Sequence, residues 1–156
     1  MRRAVILVGT ETGTAKDVAD GLAEALEGRG VEVEVVDMED ADTGVVQDGR
    51  AVVVCTATHG DGELPYNSLD FFEALEEERP DLRDVPYCVC GLGDNAYPGF
   101  CQAGRIWSSF LAGLGAREVI ERHEIDGLVS DTDVDGACEW VVRAAEKSEE
   151  LAAERR

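Results

Sequence analysis

The stretch GTETGTAKDVAD, residues 9–20, stands directly after the apolar run AVILVG and directly before a helical pattern. Three threonines alternate there with an acid and a glycine: Thr10, Glu11, Thr12, Gly13 and Thr14. Because the first amides of a helix have no acceptor within it, hydroxyl and N–H groups converge on a point that suits an anion. The lysine-bearing loop of nucleoside triphosphatases and the three-glycine loop of dinucleotide folds are both absent. The segment therefore favours a monophosphate over ATP or NAD, with an ordinary threonine N-cap as the alternative.

Five runs around this stretch have the length and composition of β-strands. They cover residues 4–9, 31–37, 51–58, 86–93 and 117–122. The first, third and fourth are apolar almost throughout, as in strands covered on both faces, whereas the second alternates and predicts an edge strand. Residues 40–49 predict a loop with at most a weak helical turn.

Four segments carry apolar residues at helical spacing. The four stripes are Val18, Leu22, Ala25 and Leu26; Leu69, Phe72 and Leu75; Ile106, Phe110 and Leu114; and Ala137, Trp140, Val141, Ala144 and Ala145. Gly28, Pro80 and Gly115 mark the ends of the first three. Alternation of strands and helices predicts an α/β fold, a doubly wound three-layer sandwich with helices on both faces of a parallel sheet. Ligands bind such sheets beyond the carboxyl ends of the strands.

Charge is the most unusual global property of the chain. Acidic residues number 34 against 14 basic ones, which gives a formal net charge of −20. Nucleic acid and anionic membranes would be repelled, so we expect neither as a partner. Acidity could steer a basic redox partner or adapt the surface to high intracellular salt. The spread of carboxylates along the whole chain favours salt adaptation.

The length of the chain predicts one domain over residues 1–156, with residues 147–156 as a helical tail that frays beyond the core. The N-terminal apolar run is too short for a signal peptide or a membrane span, so we expect a cytoplasmic monomer. Five cysteines are an odd number, which argues against a disulfide framework. Cys88 and Cys90 lie in an apolar run, and this position favours core packing over metal binding.

Two further loops follow the third and fourth predicted strands. TATHGDGELPYN, residues 56–67, combines two glycines with acids and a proline, so its backbone can approach a planar ligand closely. GLGDNAYPGF, residues 91–100, offers Asp94 and Asn95 as polar groups and Tyr97 as a ring on a turn. Either loop alone fits a plain surface turn, but three such loops at successive strand ends indicate one binding site.

TETGTA, TATHGDGELPYN and GLGDNAYPGFCQAGR together resemble the flavodoxin family. The resemblance is to its short-chain branch, with the FMN-binding domains of cytochrome P450 reductase and sulfite reductase and the MioC-type flavodoxins. It covers nearly the whole chain and implies a five-stranded parallel sheet of order 2-1-3-4-5 with FMN as cofactor. The residues that it assigns to FMN are Thr10, Glu11, Thr12, Gly13, Thr14, Ala15, Thr56, Ala57, Thr58, His59, Gly60, Leu92, Gly93, Asp94, Asn95, Tyr97 and Asp126.

The resemblance also implies roles for these residues. Residues 10–15 match the loop that binds the FMN phosphate with neutral hydroxyl and amide groups. His59 stands where the related reductase domains usually have tyrosine, so stacking on that flavin face is expected to be weaker and pH-sensitive. Gly60 matches the glycine whose carbonyl meets flavin N5 on reduction, and Tyr97 the ring on the other face. Asp126 falls near an acidic stretch by the flavin.

The implied function is low-potential, single-electron transfer between a reductase and acceptor proteins with basic docking faces. Dense carboxylates resist the second electron, and no catalytic acid, base or nucleophile is needed. The alternatives are a flavin-dependent NAD(P)H or quinone oxidoreductase, a subunit of a larger flavoprotein reductase, and a docking module without flavin. A phospho-receiver domain is disfavoured, because Gly9 and Thr10 stand where it needs an acidic pair.

Overall fold

The computed structural model describes residues 1–154, which form an alternation of strands and helices. The elements are β1 (Arg3–Gly9), α1 (Thr14–Glu27), β2 (Glu32–Asp37), β3 (Ala51–Thr56), α2 (Tyr66–Glu78), β4 (Pro86–Gly93), α3 (Gln102–Gly113), β5 (Arg117–Glu118), β6 (His123–Asp126) and α4 (Asp131–Glu154). Short 3₁₀ turns at Met38–Asp40 and Thr43–Val46 lie between β2 and β3, and they cover half of the loop predicted over residues 40–49.

All strands pair in parallel in the order β2-β1-β3-β4-β5, with β6 also paired to β4. This confirms the predicted α/β class and the order 2-1-3-4-5. Alternate residues of β1 point to two separate cores: Ile6 packs in the core that contains α1 and α4, and Leu7 in the core that contains α2 and α3. Burial on both faces explains why β1, β3 and β4 are apolar without alternation.

The fifth strand differs from the prediction of one continuous run over residues 117–122. Tyr87 pairs with Glu118, and Cys90 pairs with His123. An advance of three residues along β4 therefore corresponds to an advance of five residues from β5 to β6. Two extra residues therefore loop out between β5 and β6, as in a β-bulge. The loop is stabilised by Trp140, whose indole N–H donates to the Glu121 carbonyl at 2.8 Å.

The buried faces of α2 and α3 also differ from the predicted stripes. Phe71 is buried in place of Leu69, which is 36% exposed, and Trp107 is buried in place of Ile106. The reason is an aromatic cluster, in which the Trp107 ring lies 5.8 Å from Phe71 and 5.0 Å from Phe72. Aromatic side chains bury the most apolar area, so they decide the rotation of both helices.

The first and last helices agree better with the predicted stripes. Every residue of the last stripe is buried, whereas Ala25 on α1 is only half-buried. Helix α4 continues to Glu154 with Ser148 buried. The predicted tail thus begins within an ordered helix, and residues 155–156 lie outside the described residues.

Trp140→Phe is expected to lower the free energy of unfolding by about 1–3 kcal/mol, because it leaves the Glu121 carbonyl without its indole donor. Trp107→Phe is the matched control. Within residues 1–154 the Trp107 indole N–H has no hydrogen-bond partner, so that variant loses packing only. Urea titration of both variants measures the difference. A larger loss of unfolding free energy in Trp107→Phe than in Trp140→Phe would contradict the stabilising role given to the Trp140 hydrogen bond.

Candidate functional site

The loops after β1, β3 and β4 lie together at the carboxyl edge of the sheet, because these strands are neighbours. A cavity of about 370 Å³ opens between the second and third loops. It is lined by Thr58, Gly60, Gly93, Asp94, Tyr97, Pro98, Gly99, Phe100 and Cys101. The fold thus brings together residues that are up to 43 positions apart in the sequence, from Thr58 to Cys101.

The first loop ends where α1 begins. Gly13 is the N-cap residue, with φ 92°, and no side chain caps the helix. The alternative of an ordinary threonine cap is therefore wrong. The amide of Gly13 donates to Thr10 Oγ1 at 3.0 Å, and the hydroxyl oxygens of Thr12 and Thr14 lie 3.4 Å apart. Hydroxyls and the first free amides of α1 thus share one exposed position, which suits a phosphate.

Glu11 connects the first loop to the second. One carboxylate oxygen lies 2.6 Å from His59 Nδ1, and the other accepts from the Tyr66 amide at 3.3 Å. Because a carboxylate accepts hydrogen bonds, His59 Nδ1 carries the hydrogen in this pair. The side chain of Glu11 therefore bridges two loops.

The second loop is a tight hairpin. His59 and Glu63 exchange backbone hydrogen bonds, both at 2.8 Å, and Gly60 between them has φ 52°. Gly60 thus adopts a left-handed conformation that few other residues tolerate. The His59 ring lies 4.9 Å from the Tyr66 ring, which is 70% exposed. Sequence reasoning missed Tyr66, although an aromatic residue directly after Pro65 was the available signal.

The third loop is fixed by two aspartates. The Asp94 carboxylate accepts from the Ala96 amide and the Asp126 carboxylate from the Asn95 amide, each at 2.9 Å. Asp126 ends β6, so the strand missed by the sequence positions this loop. Tyr97 is 60% exposed at the rim of the cavity.

Four of the predicted site residues lie beneath the loops. The side chains of Ala15, Thr56 and Leu92 are buried, and that of Ala57 is half-buried against the core. Their backbones can contribute to a ligand site, whereas their side chains pack below it. Cys101 is also buried under the third loop, and burial raises the pKa of its thiol to about 12. The thiol is therefore protonated near neutral pH and unsuited to nucleophilic chemistry.

The charge of the loops is compatible with FMN. The three loops, residues 10–15, 56–67 and 91–100, contain no lysine or arginine. The nearest cation along the chain, Lys16, pairs with Asp20 at 2.8 Å along the outside of α1. A phosphate at the first loop would thus be held by hydroxyl and amide groups, and a planar ring would lie in the cavity that Gly60 and Tyr97 line. In residues 1–154, no group of three or more metal-ligating side chains could hold an ion.

Comparison with known proteins defines the class to which this fold and site belong. The family Flavodoxin matches residues 6–140, and the chain belongs to that family. The family binds FMN and transfers electrons, so the predicted cofactor and functional class are confirmed.

The first kind of relative is a longer protein of which the chain matches one part. The chain is 36% identical over 150 residues to the sulfite reductase [NADPH] flavoprotein alpha-component of Photobacterium profundum. The match covers 95% of this chain but 24% of that protein. The Neisseria meningitidis protein of the same name is 33% identical over 152 residues, and the match covers 97% of this chain and 24% of that protein. The chain thus spans about a quarter of the length of these relatives.

Solved structures of free flavodoxins match the chain over almost their whole length. Flavodoxin 2 from Bacillus cereus has a TM-score of 0.86 and 30% identity, with 93% of this chain and 99% of that one covered. A single-residue mutant of the flavodoxin from Pseudomonas aeruginosa has a TM-score of 0.85 and 29% identity, with 94% of this chain and 99% of that one covered.

In residues 1–154 no helix has the length and apolar character needed to cross a membrane.

Proposed function

We propose that the chain is a low-potential carrier of single electrons between a reductase and acceptor proteins. The observation that carries the proposal is the meeting of three loops at the carboxyl edge of the sheet, with a cavity between the second and third loops and Tyr97 exposed at its rim. Bound FMN supplies the redox chemistry, and this chain's residues bind and orient it. Thr12 and Thr14 would hold the phosphate, and Gly60 and Tyr97, which both line the cavity, would flank the ring. The His59 side chain faces Glu11 and Tyr66 in this structure.

The acidic surroundings of the cavity support a low reduction potential. Asp94 lines the cavity, and Asp126 is bonded to the loop beside it. Fixed negative charge opposes the addition of an electron, so these carboxylates lower the potential at which the cofactor is reduced. His59 pairs with Glu11, with 2.6 Å between Nδ1 and the carboxylate oxygen.

The test is an absorbance spectrum of the purified protein during stepwise anaerobic reduction in molar salt. We expect the two visible bands of oxidised flavin, followed by a long-wavelength band when one electron has been added. A colourless protein that does not take up FMN would contradict the proposal and favour a docking module.

A second candidate function is a subunit of a larger flavoprotein reductase. It is favoured by the sulfite reductase flavoprotein relatives, of which the chain covers only 24%. A self-sufficient NAD(P)H or quinone oxidoreductase is the third. Rapid turnover of NAD(P)H and quinone by the protein alone would favour the third candidate, whereas turnover only with an added reductase supports the carrier.

We further propose that the chain is a cytoplasmic monomer and that its acidity is an adaptation to salt. The redox partners of such a carrier would present basic docking faces. With a net charge of −20, the folded chain repels itself at low ionic strength. The urea midpoint is expected to rise on going from about 0.1 M to 1 M KCl, as the screening length shortens. An unchanged midpoint, together with reductase affinity that collapses with salt, would favour docking as the role of the acidity.

A further inference from the structure

Asn67, in the first turn of α2, contacts three separate parts of the sheet edge. Its side-chain oxygen accepts from the Thr10 amide at 2.9 Å. Its side-chain nitrogen donates to the Asp37 carboxylate at 2.9 Å and to the Val8 carbonyl at 3.3 Å. The amide is therefore oriented by its partners, with the oxygen toward a donor and the nitrogen toward two acceptors.

Thr10 is the residue through which Asn67 reaches the phosphate loop. With its amide bonded to Asn67, Thr10 directs its hydroxyl oxygen to the amide of Gly13 at 3.0 Å. Gly13 in turn begins α1. A chain of two hydrogen bonds thus runs from α2 through the loop to the helix end at which a phosphate would bind.

The neighbouring residue makes a second connection between the same two segments. The amide of Tyr66 donates to the Glu11 carboxylate, which also contacts His59. The first turn of α2 therefore holds the first two residues of the phosphate loop, one through a side chain and one through the backbone. The contact through Asn67 is made by a side chain, so a substitution can remove it and leave the backbone contact of Tyr66 in place.

We propose that Asn67 is a positioning residue for the phosphate of the cofactor, acting through Thr10. The proposal rests on FMN binding by this chain. Without Asn67 the Thr10 amide and the Val8 carbonyl lose their partner, and the loop has to be ordered when the phosphate arrives. That ordering opposes binding of a phosphorylated flavin and does not affect binding of the ring alone.

The experiment compares the dissociation constants of FMN and riboflavin, which lacks the phosphate, for wild-type protein and Asn67→Ala by flavin fluorescence quenching. We expect FMN affinity to fall about tenfold, the scale of one lost hydrogen bond, and riboflavin affinity to fall less than about twofold. If Asn67→Ala does not fold, Asn67→Gln is measured, whose longer side chain keeps the amide but displaces it. Its FMN-to-riboflavin affinity ratio is expected to fall in the same direction.

Gln47→Ala is the matched control, because Gln47 also binds α2 with its side-chain amide, at the opposite end. Its nitrogen donates to the Thr43 carbonyl at 2.8 Å and to Glu78 at 3.3 Å. The FMN-to-riboflavin ratio is expected to stay at the wild-type value in this variant. Equal losses of both flavins in the Asn67 variants, or no loss, overturn the positioning role. Wild-type protein that binds neither flavin overturns the proposed function as well.

Discussion

Gly99→Ala is expected to weaken FMN binding by roughly a hundredfold, because it separates the two loops that form the cavity. A Cβ atom at Gly99 would lie 2.3 Å from the Asp61 carbonyl oxygen and 2.8 Å from Gly62 Cα. Both obstacles are backbone, so no side chain can rotate away, and φ at Gly99 is +74°. Overpacking and left-handed strain together cost about 3 kcal/mol, equivalent to roughly two powers of ten in affinity.

Gly136→Ala is the control for Gly99→Ala. Gly136 lies within α4, and a Cβ there would meet nothing within 4 Å. Alanine in a helix is expected to raise the free energy of unfolding by about 0.5–1 kcal/mol and to leave FMN affinity unchanged. Flavin titration and urea unfolding of both variants measure the two effects. Wild-type FMN affinity in Gly99→Ala would show that contact between the second and third loops is not needed for binding.

The course of the chain could be predicted because burial on both faces leaves a direct mark on sequence. β3 is buried throughout, β1 and β4 are buried except at their end residues, and all three have continuous apolar runs in the sequence. The fifth strand could not be predicted correctly, because β5 and β6 are only partly buried and a two-residue loop shifts their register. Spacing alone does not show where such a bulge lies.

The loops of the site could be predicted, but the contacts between them could not. Turn residues after a strand are local signals, and they indicated all three loops. The pair of Glu11 with His59 and the bond from Thr10 to Asn67 join residues 48 and 57 positions apart. These pairs depend on strand order, which brings the ends of β1 and β3 side by side, and on the helix that follows β3.

The double variant Thr12→Val and Thr14→Val is expected to lower FMN affinity by about a hundredfold or more, with riboflavin affinity nearly unchanged. The two hydroxyl oxygens lie 3.4 Å apart and are exposed, so both can donate to one phosphate. A hydrogen bond to a charged group contributes about 1.5–3 kcal/mol, and valine removes it while keeping the shape of threonine. The loop contains no lysine or arginine that could compensate for the loss.

Thr132→Val is the matched control for the double variant, because Thr132 is also an exposed threonine in the first turn of a helix, α4. FMN affinity of this variant is expected to equal that of wild-type protein. Isothermal titration with FMN and riboflavin measures all three proteins under one salt condition. If the double variant kept its preference for FMN over riboflavin, the backbone amides of α1 and the hydroxyl of Thr10 would account for phosphate binding. The hydroxyls of Thr12 and Thr14 would then have no part in recognising the cofactor.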